Sequence, residues 1–139
     1  FIAHIRPTSP FRDPKILDEA IQTFTSSDKN TALRSVHPMS ESAYKTFEIN
    51  KNGSLMCVGS KETSLDDANN GRQLFPKTYI ANGYIDVIST EFVIKNKKIH
   101  GDNVKPFITQ TCYEIDCLED FEKLEFQLKN SPEIYTKLF

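Results

Sequence analysis

NGYIDV, residues 82–87, is the stretch on which the reading of the fold turns. An Asn-Gly pair ordinarily marks a tight turn: Gly accepts unusual backbone angles and Asn bonds its own backbone. Here the pair runs directly into Tyr84-Ile85-Asp86-Val87-Ile88, an aromatic and β-branched run with the character of a buried strand. The stretch predicts a strand over 84–88 with Asn82-Gly83 as the turn before it. It also poses a question: why should a carboxamide stand at a strand's mouth?

Upstream, Phe1–Ile5 reads as a short buried strand, broken by Arg6-Pro7-Thr8-Ser9-Pro10. Asp13 is a natural N-cap with Pro14 at the first helical position, and Ile16, Leu17, Ala20, Ile21 and Phe24 follow at helical spacing. A second strand fits Thr31–Val36. Strand, helix, strand is the grammar of a parallel α/β sheet with right-handed crossovers. The middle changes character. Tyr44–Ile49 and Leu55–Val58 flank Asn50-Lys51-Asn52-Gly53, a hairpin signal, and Gly59–Pro76 reads as a polar excursion. Beyond Ile88, Ser89 or Thr90 can cap a short helix through Lys95, and Lys105–Gln110 suits a strand. Leu118, Phe121, Leu124, Glu125 and Leu128 give the closing helix a mostly apolar stripe.

With 139 residues the chain supports one domain with a modest core. It contains no apolar run long enough for a membrane span, and a net charge of −2 with scattered Lys and Arg argues against nucleic acid as a partner. Three cysteines, Cys57, Cys112 and Cys117, form neither a disulfide framework nor a zinc pattern, which suits a reducing cytoplasm. Phe1-Ile2-Ala3-His4-Ile5 looks like a core strand entered mid-domain, so the reading expects an N-terminal portion before it.

Ligands of open α/β sheets bind beyond the carboxyl ends of the strands. Arg6–Arg12, His37–Lys45, Arg72–Gly83 and Glu114–Asp120 all fall at such ends. In an extended segment Glu114 and Asp116 face one side with Ile115 turned to the core. Two hard oxygen donors of that kind suit Mg²⁺, although from pattern alone a solvated strand end with a helix cap is the simpler explanation. Lys45, Arg72 and the Arg6/Arg12 pair are candidate anion ligands, weighed against ordinary surface charge. His37, before a proline, reads as structural or surface, His4 as core and His100 as loop. Only five glycines are present and none forms a phosphate-cradling loop.

Three segments carry a resemblance: RPTSPFR at 6–12, RQLFPKTYIANGYIDV at 72–87 and EIDCLEDF at 114–121. In this order they resemble the acylneuraminate cytidylyltransferases (CMP-sialic acid synthetases), whose relatives activate legionaminic and pseudaminic acids. The likeness runs from Phe1 to about Asn130. It covers the C-terminal two-thirds of such an enzyme, whose CTP-binding loop lies upstream.

The resemblance implies a Rossmann-like, three-layer nucleotidyltransferase fold. It also implies transfer of CMP from CTP to a nine-carbon 2-keto sugar acid with Mg²⁺, in a homodimer. Carried over residue by residue, Asp116 becomes the principal metal carboxylate and Glu114 its companion, where close relatives often have Asp. Lys45 becomes a ligand of the sugar's carboxylate, Arg72 and Gln73 the family's Arg-Gln pair, and Asn82 a ligand of sugar hydroxyls. Tyr44–Pro76 is the candidate dimerisation element, with Phe47, Ile49, Leu55, Met56 and Val58 as its apolar face. Arg6 stands where many sialic-acid enzymes carry Gln. A guanidinium accepts no hydrogen bond, so the sugar contact differs and N-acetylneuraminate is disfavoured. The same-class alternative is a 3-deoxy-manno-octulosonate cytidylyltransferase, and the different-class one a non-catalytic α/β dimerisation module.

Overall fold

The computed structural model describes residues 1–59 and 63–138. They divide into two compact units, Phe1–His37 with Ala81–Phe139, and Pro38–Ile80. Residues 60–62 of the predicted polar excursion lie outside the described residues. No helix among the described residues is long and apolar enough to cross a membrane.

The chain is a mixed α/β protein. The first unit is built on a four-stranded sheet: β1 (Ile2–His4), β2 (Ala32–Pro38), β5 (Tyr79–Ile88) and β6 (Val104–Ile108), in the order β1-β5-β2-β6. Strand β2 runs parallel to β6, pairing Ala32 with Val104 and Val36 with Ile108. Strand β5 lies between β1 and β2 and runs antiparallel to β1, pairing His4 with Asp86. The expected all-parallel sheet is therefore corrected to a mixed one. The strand–helix–strand order is present, but no sequence pattern announced that a later strand inserts between its two strands.

Helix α1 (Pro14–Thr25) starts where predicted, with the Asp13 side chain accepting from Lys15 N. Its Ala20 and Phe24 pack on Leu33, Tyr84, Ile85 and Val87 to form the core. Each of Leu33, Ile85 and Val87 is fully buried, worth about 1.5–3 kcal/mol apiece. Strand β1 is less buried than expected: at the sheet's edge only Ala3 packs on the core, and Ile2 stays exposed. His4, expected in the core, is half-exposed and lies 3.9 Å from the Asp86 carboxylate.

Helix α2 (Thr90–Asn96) is capped by Ser89 Oγ, which accepts from Phe92 N at 3.2 Å. Helix α3 (Leu118–Asn130) opens on Cys117, whose thiol donates to the Asp120 carboxylate at 3.2 Å and helps hold that carboxyl below its ordinary value. Of the predicted apolar stripe Leu124 alone is fully buried, while Leu118 and Phe121 remain more than half exposed. Helix α4 (Pro132–Leu138) follows.

In the second unit β3 (Phe47–Ile49) and β4 (Leu55–Cys57) form the predicted antiparallel hairpin. Its loop is closed by the Asn50 side chain accepting from Asn52 N and Ser54 N, with Gly53 at φ 78° in the left-handed region. Phe47 pairs with Cys57 and Ile49 with Leu55, so these four share one face. Met56 pairs with Glu48 on the other, which removes Met56 from the expected apolar face. Short 3-10 turns at Ala43–Lys45, Asp67–Asn69 and Arg72–Leu74 complete this unit.

Candidate functional site

The Asn-Gly pair is not a turn. Strand β5 is ten residues long and holds Asn82 and Gly83 inside it, both buried. Gly83 is not in the left-handed region; what it supplies is space. A Cβ there would overlap Glu114 Oε1, stand 2.8 Å from Ser9 Oγ and 3.1 Å from Arg6 Cδ. Arg6, Ser9 and Glu114 thus close on one point of β5 because the strand has no side chain there.

The loop after β1 is held to β5 by Arg12. Its guanidinium donates to the Tyr84 carbonyl at 2.8 Å, to the Gly83 carbonyl at 2.7 Å, and to the carbonyls of Ser9 and Arg6. Burial, the largest influence, pulls this guanidinium below its ordinary value. Arg12 is therefore a brace, and the sequence reading that made it an anion ligand is corrected: four of its five donors are taken by carbonyls. The Tyr84 hydroxyl accepts from Asp13 N at 2.7 Å and so joins β5 to the start of α1. Ile115 N donates to Thr8 O at 2.8 Å, which draws the segment before α3 alongside the same loop.

Within this frame Arg6 Nη1 lies 4.0 Å from Glu114 Oε1. That oxygen is buried and has no hydrogen-bond partner among the described residues, as is true of Ser9 Oγ. A carboxylate oxygen out of water with no donor is a group that a cation would satisfy. Asp116 is exposed, and its carboxylate makes no hydrogen bond or ion pair among the described residues. Glu114 thus offers one buried oxygen and Asp116 a solvated carboxylate two residues on, each a hard donor of the kind Mg²⁺ takes. No group of three or more His, Cys, Asp or Glu that could hold a metal occurs among the described residues.

Asn82, expected to face a sugar, has its carboxamide engaged within the protein. Nδ2 donates to Thr109 Oγ1 at 2.9 Å and contacts His37 Nδ1 at 3.1 Å, while Oδ1 accepts from Tyr84 N at 3.3 Å. His37 stands near the end of β2 and Thr109 just past β6, the carboxyl ends of the parallel pair. Nothing in the sequence foretold this triangle, since Asn82 stands 45 residues from His37 and 27 from Thr109. Nearby, a cavity of about 500 Å³ is lined by Asp13, Tyr84, Thr109, Gln110, Cys112 and Tyr113 among others. Burial pushes the Cys112 thiol up.

The other predicted site residues belong to the second unit. Arg72 and Gln73 line a cavity of about 520 Å³ with Ser40, Lys77, Thr78 and Tyr79. Arg72 Nη1 donates to Ser40 O at 3.1 Å, which leaves other donors of its fork available. Lys45 does not line that cavity; its Nζ donates to Asn70 O at 3.0 Å. The structure therefore groups Arg6 with Glu114, and Arg72 with Gln73. Lys45, Asn82 and Asp116 each stand in different surroundings.

No protein-family model matches the chain, and no curated protein does.

Proposed function

We propose that the chain is part of a cytidylyltransferase that moves CMP from CTP to a nine-carbon 2-keto sugar acid and releases pyrophosphate. One observation supports this reading above the others. The three segments on which the resemblance rests lie far apart in sequence, yet Arg6, Gly83 and Glu114 meet at a single point. Under this reading the mixed sheet belongs to a Rossmann-like, three-layer nucleotidyltransferase fold. Glu114 and Asp116 would hold Mg²⁺, which supplies charge screening of phosphate oxygens and a lowered hydroxyl pKa.

The chain's own residues bind and orient. Arg6 offers donors beside Glu114, its Nη1 4.0 Å from that carboxylate. Arg72 and Gln73 offer a planar fork and an amide, a combination suited to a carboxylate and its neighbouring hydroxyl. The hairpin leaves Phe47, Ile49 and Leu55 substantially exposed on one face, which supports self-association through that element.

The test is a pyrophosphate-release assay with CTP and Mg²⁺, run on the protein that carries this chain. A panel of sugar acids should include N-acetylneuraminate, legionaminate, pseudaminate and 3-deoxy-manno-octulosonate. The expected result is release that depends on a nine-carbon acid, with legionaminate-type acids preferred because Arg6 replaces an acceptor. Asp116→Asn should remove turnover and leave the fold intact, since metal-assisted charge stabilisation is worth several kcal/mol. No release with any acid, or full rates for Asp116→Asn, would overturn the reading.

A second outcome separates the two basic residues. Arg72→Ala should raise KM for the sugar acid by about 10- to 100-fold, the loss of a charged hydrogen bond, and leave KM for CTP unchanged. Lys45→Ala should have the smaller effect, because its ammonium caps a carbonyl outside the Arg72 cavity. A shift in the CTP dependence instead would assign Arg72 to the triphosphate.

A further inference from the structure

We infer that His37 is a hydrogen-bond donor to a bound anionic oxygen, and that Asn82 is the residue that positions it. The argument starts from a backbone group. Tyr84 N can only donate, so the Asn82 atom facing it at 3.3 Å must be the carbonyl oxygen. That fixes the carboxamide, and Nδ2 is left to face both Thr109 Oγ1 and His37 Nδ1. An amide nitrogen only donates, so His37 Nδ1 must accept. The neutral imidazole therefore carries its proton on Nε2.

Thr109 Oγ1 completes the orientation. Its proton goes to Gln110 O at 2.8 Å, so its lone pair is free to receive the second Asn82 proton. Every hydrogen-bonding atom of the Asn82 side chain is thus used inside the protein, and the residue is 5% exposed. This answers why a carboxamide stands within a strand: it sets the direction of a histidine.

The other side of the ring is open. His37 Nε2 has no protein partner among the described residues, yet it is not one of the buried atoms left without one. A half-buried ring with one nitrogen clamped and an N–H turned to solvent is a preorganised donor. It sits at the carboxyl ends of β2 and β6, where open α/β sheets take their ligands. In this tautomer the only lone pair is occupied, so His37 donates and does not act as a base.

The choice of carboxylate or phosphate as the acceptor rests on the proposed function; the tautomer does not. The test is ¹⁵N NMR of the histidine ring nitrogens in the 139-residue chain, with His37 assigned through His37→Gln. The expected spectrum shows His37 protonated at Nε2 in the wild type, and protonated at Nδ1 in Asn82→Asp, where a carboxylate replaces the donor. Titration with legionaminate and, separately, inorganic phosphate should then move the Nε2 signal. A response to the first alone identifies a carboxylate, and to the second alone a phosphate.

Replacement variants distinguish donor from scaffold. His37→Gln, whose amide reaches the Nε2 position, should keep binding of the responding anion within a few-fold. His37→Ala should weaken it by about 10- to 100-fold, as expected for losing a hydrogen bond to a charged group. An Nδ1-protonated ring in the wild type overturns the inference, as does a ring that ignores both anions. No step uses CTP or turnover, so an absence of cytidylyl transfer would count against the proposed reaction and leave this inference standing.

Discussion

Arg12→Ala should destabilise the first unit by about 3 kcal/mol, measured as a displaced urea midpoint at unchanged slope. The guanidinium serves four carbonyl oxygens, on Arg6, Ser9, Gly83 and Tyr84, and so ties the loop after β1 to the middle of β5. Removing it leaves those carbonyls to water or to nothing. Hydrogen bonds to a charged group contribute about 1.5–3 kcal/mol each, but the loop's partial solvent access keeps the sum well below four times that value. Arg12→Lys should recover little, because an ammonium is a point charge and cannot reach four acceptors on two segments. Stability within 0.5 kcal/mol of wild type in Arg12→Ala would show that the loop is held by other contacts.

Gly83→Ala should have the opposite profile, with a modest cost in stability and a large one in function. The new methyl group must occupy the place of Glu114 Oε1 and crowd Ser9 Oγ at 2.8 Å. Glu114 can swing away because the clash is with the far end of a flexible chain, so a loss of about 1–3 kcal/mol is expected. A carboxylate moved by an ångström is no longer where the site needs it, and displacement on that scale costs about 100-fold in rate. Under the proposed reaction kcat/KM should therefore fall by about that factor. A control independent of any activity is the double variant with Glu114→Ala. The two changes should be strongly non-additive, with the second recovering most of the stability lost to the first. Additive losses would mean that the close approach at Gly83 does not govern Glu114.

Local rules made α1, α2 and the β3–β4 hairpin legible, because each is announced by a cap or turn residue next to a periodic run. Asp13-Pro14, Ser89 and Asn50 to Gly53 all act as their chemistry requires. The same rules misread Asn82-Gly83. Turn residues and close-approach residues are the same residue types, and only the fold decides between them. The antiparallel placement of β5 beside β1 was hidden for a related reason: pairing partners 82 to 86 residues apart leave no trace in local pattern. Among candidate site residues, Arg6 and Glu114 were legible as charges at strand ends, and the structure brings them together. The structural use of Arg12 and the carboxamide clamp on His37 were not, because both depend on what a polar group meets across the sheet.

Ser35 has a bearing on how the chain finds its register. Its hydroxyl is completely buried, donating to Asn82 O at 3.1 Å and accepting from Ile85 N at 3.0 Å. The alignment of β2 beside β5 is therefore read by a single side chain as well as by apolar alternation. A slip of one residue would bring Arg34 or Val36 opposite those two backbone groups, and neither offers a donor and an acceptor on one short arm. Two unpaired groups would then be shut in the interior, at about 1–3 kcal/mol each. Misaligned pairings are thus penalised as the apolar face closes over them. A strand that carries one hydroxyl at a buried position gains from it a check on its own assembly that a fully apolar strand would lack.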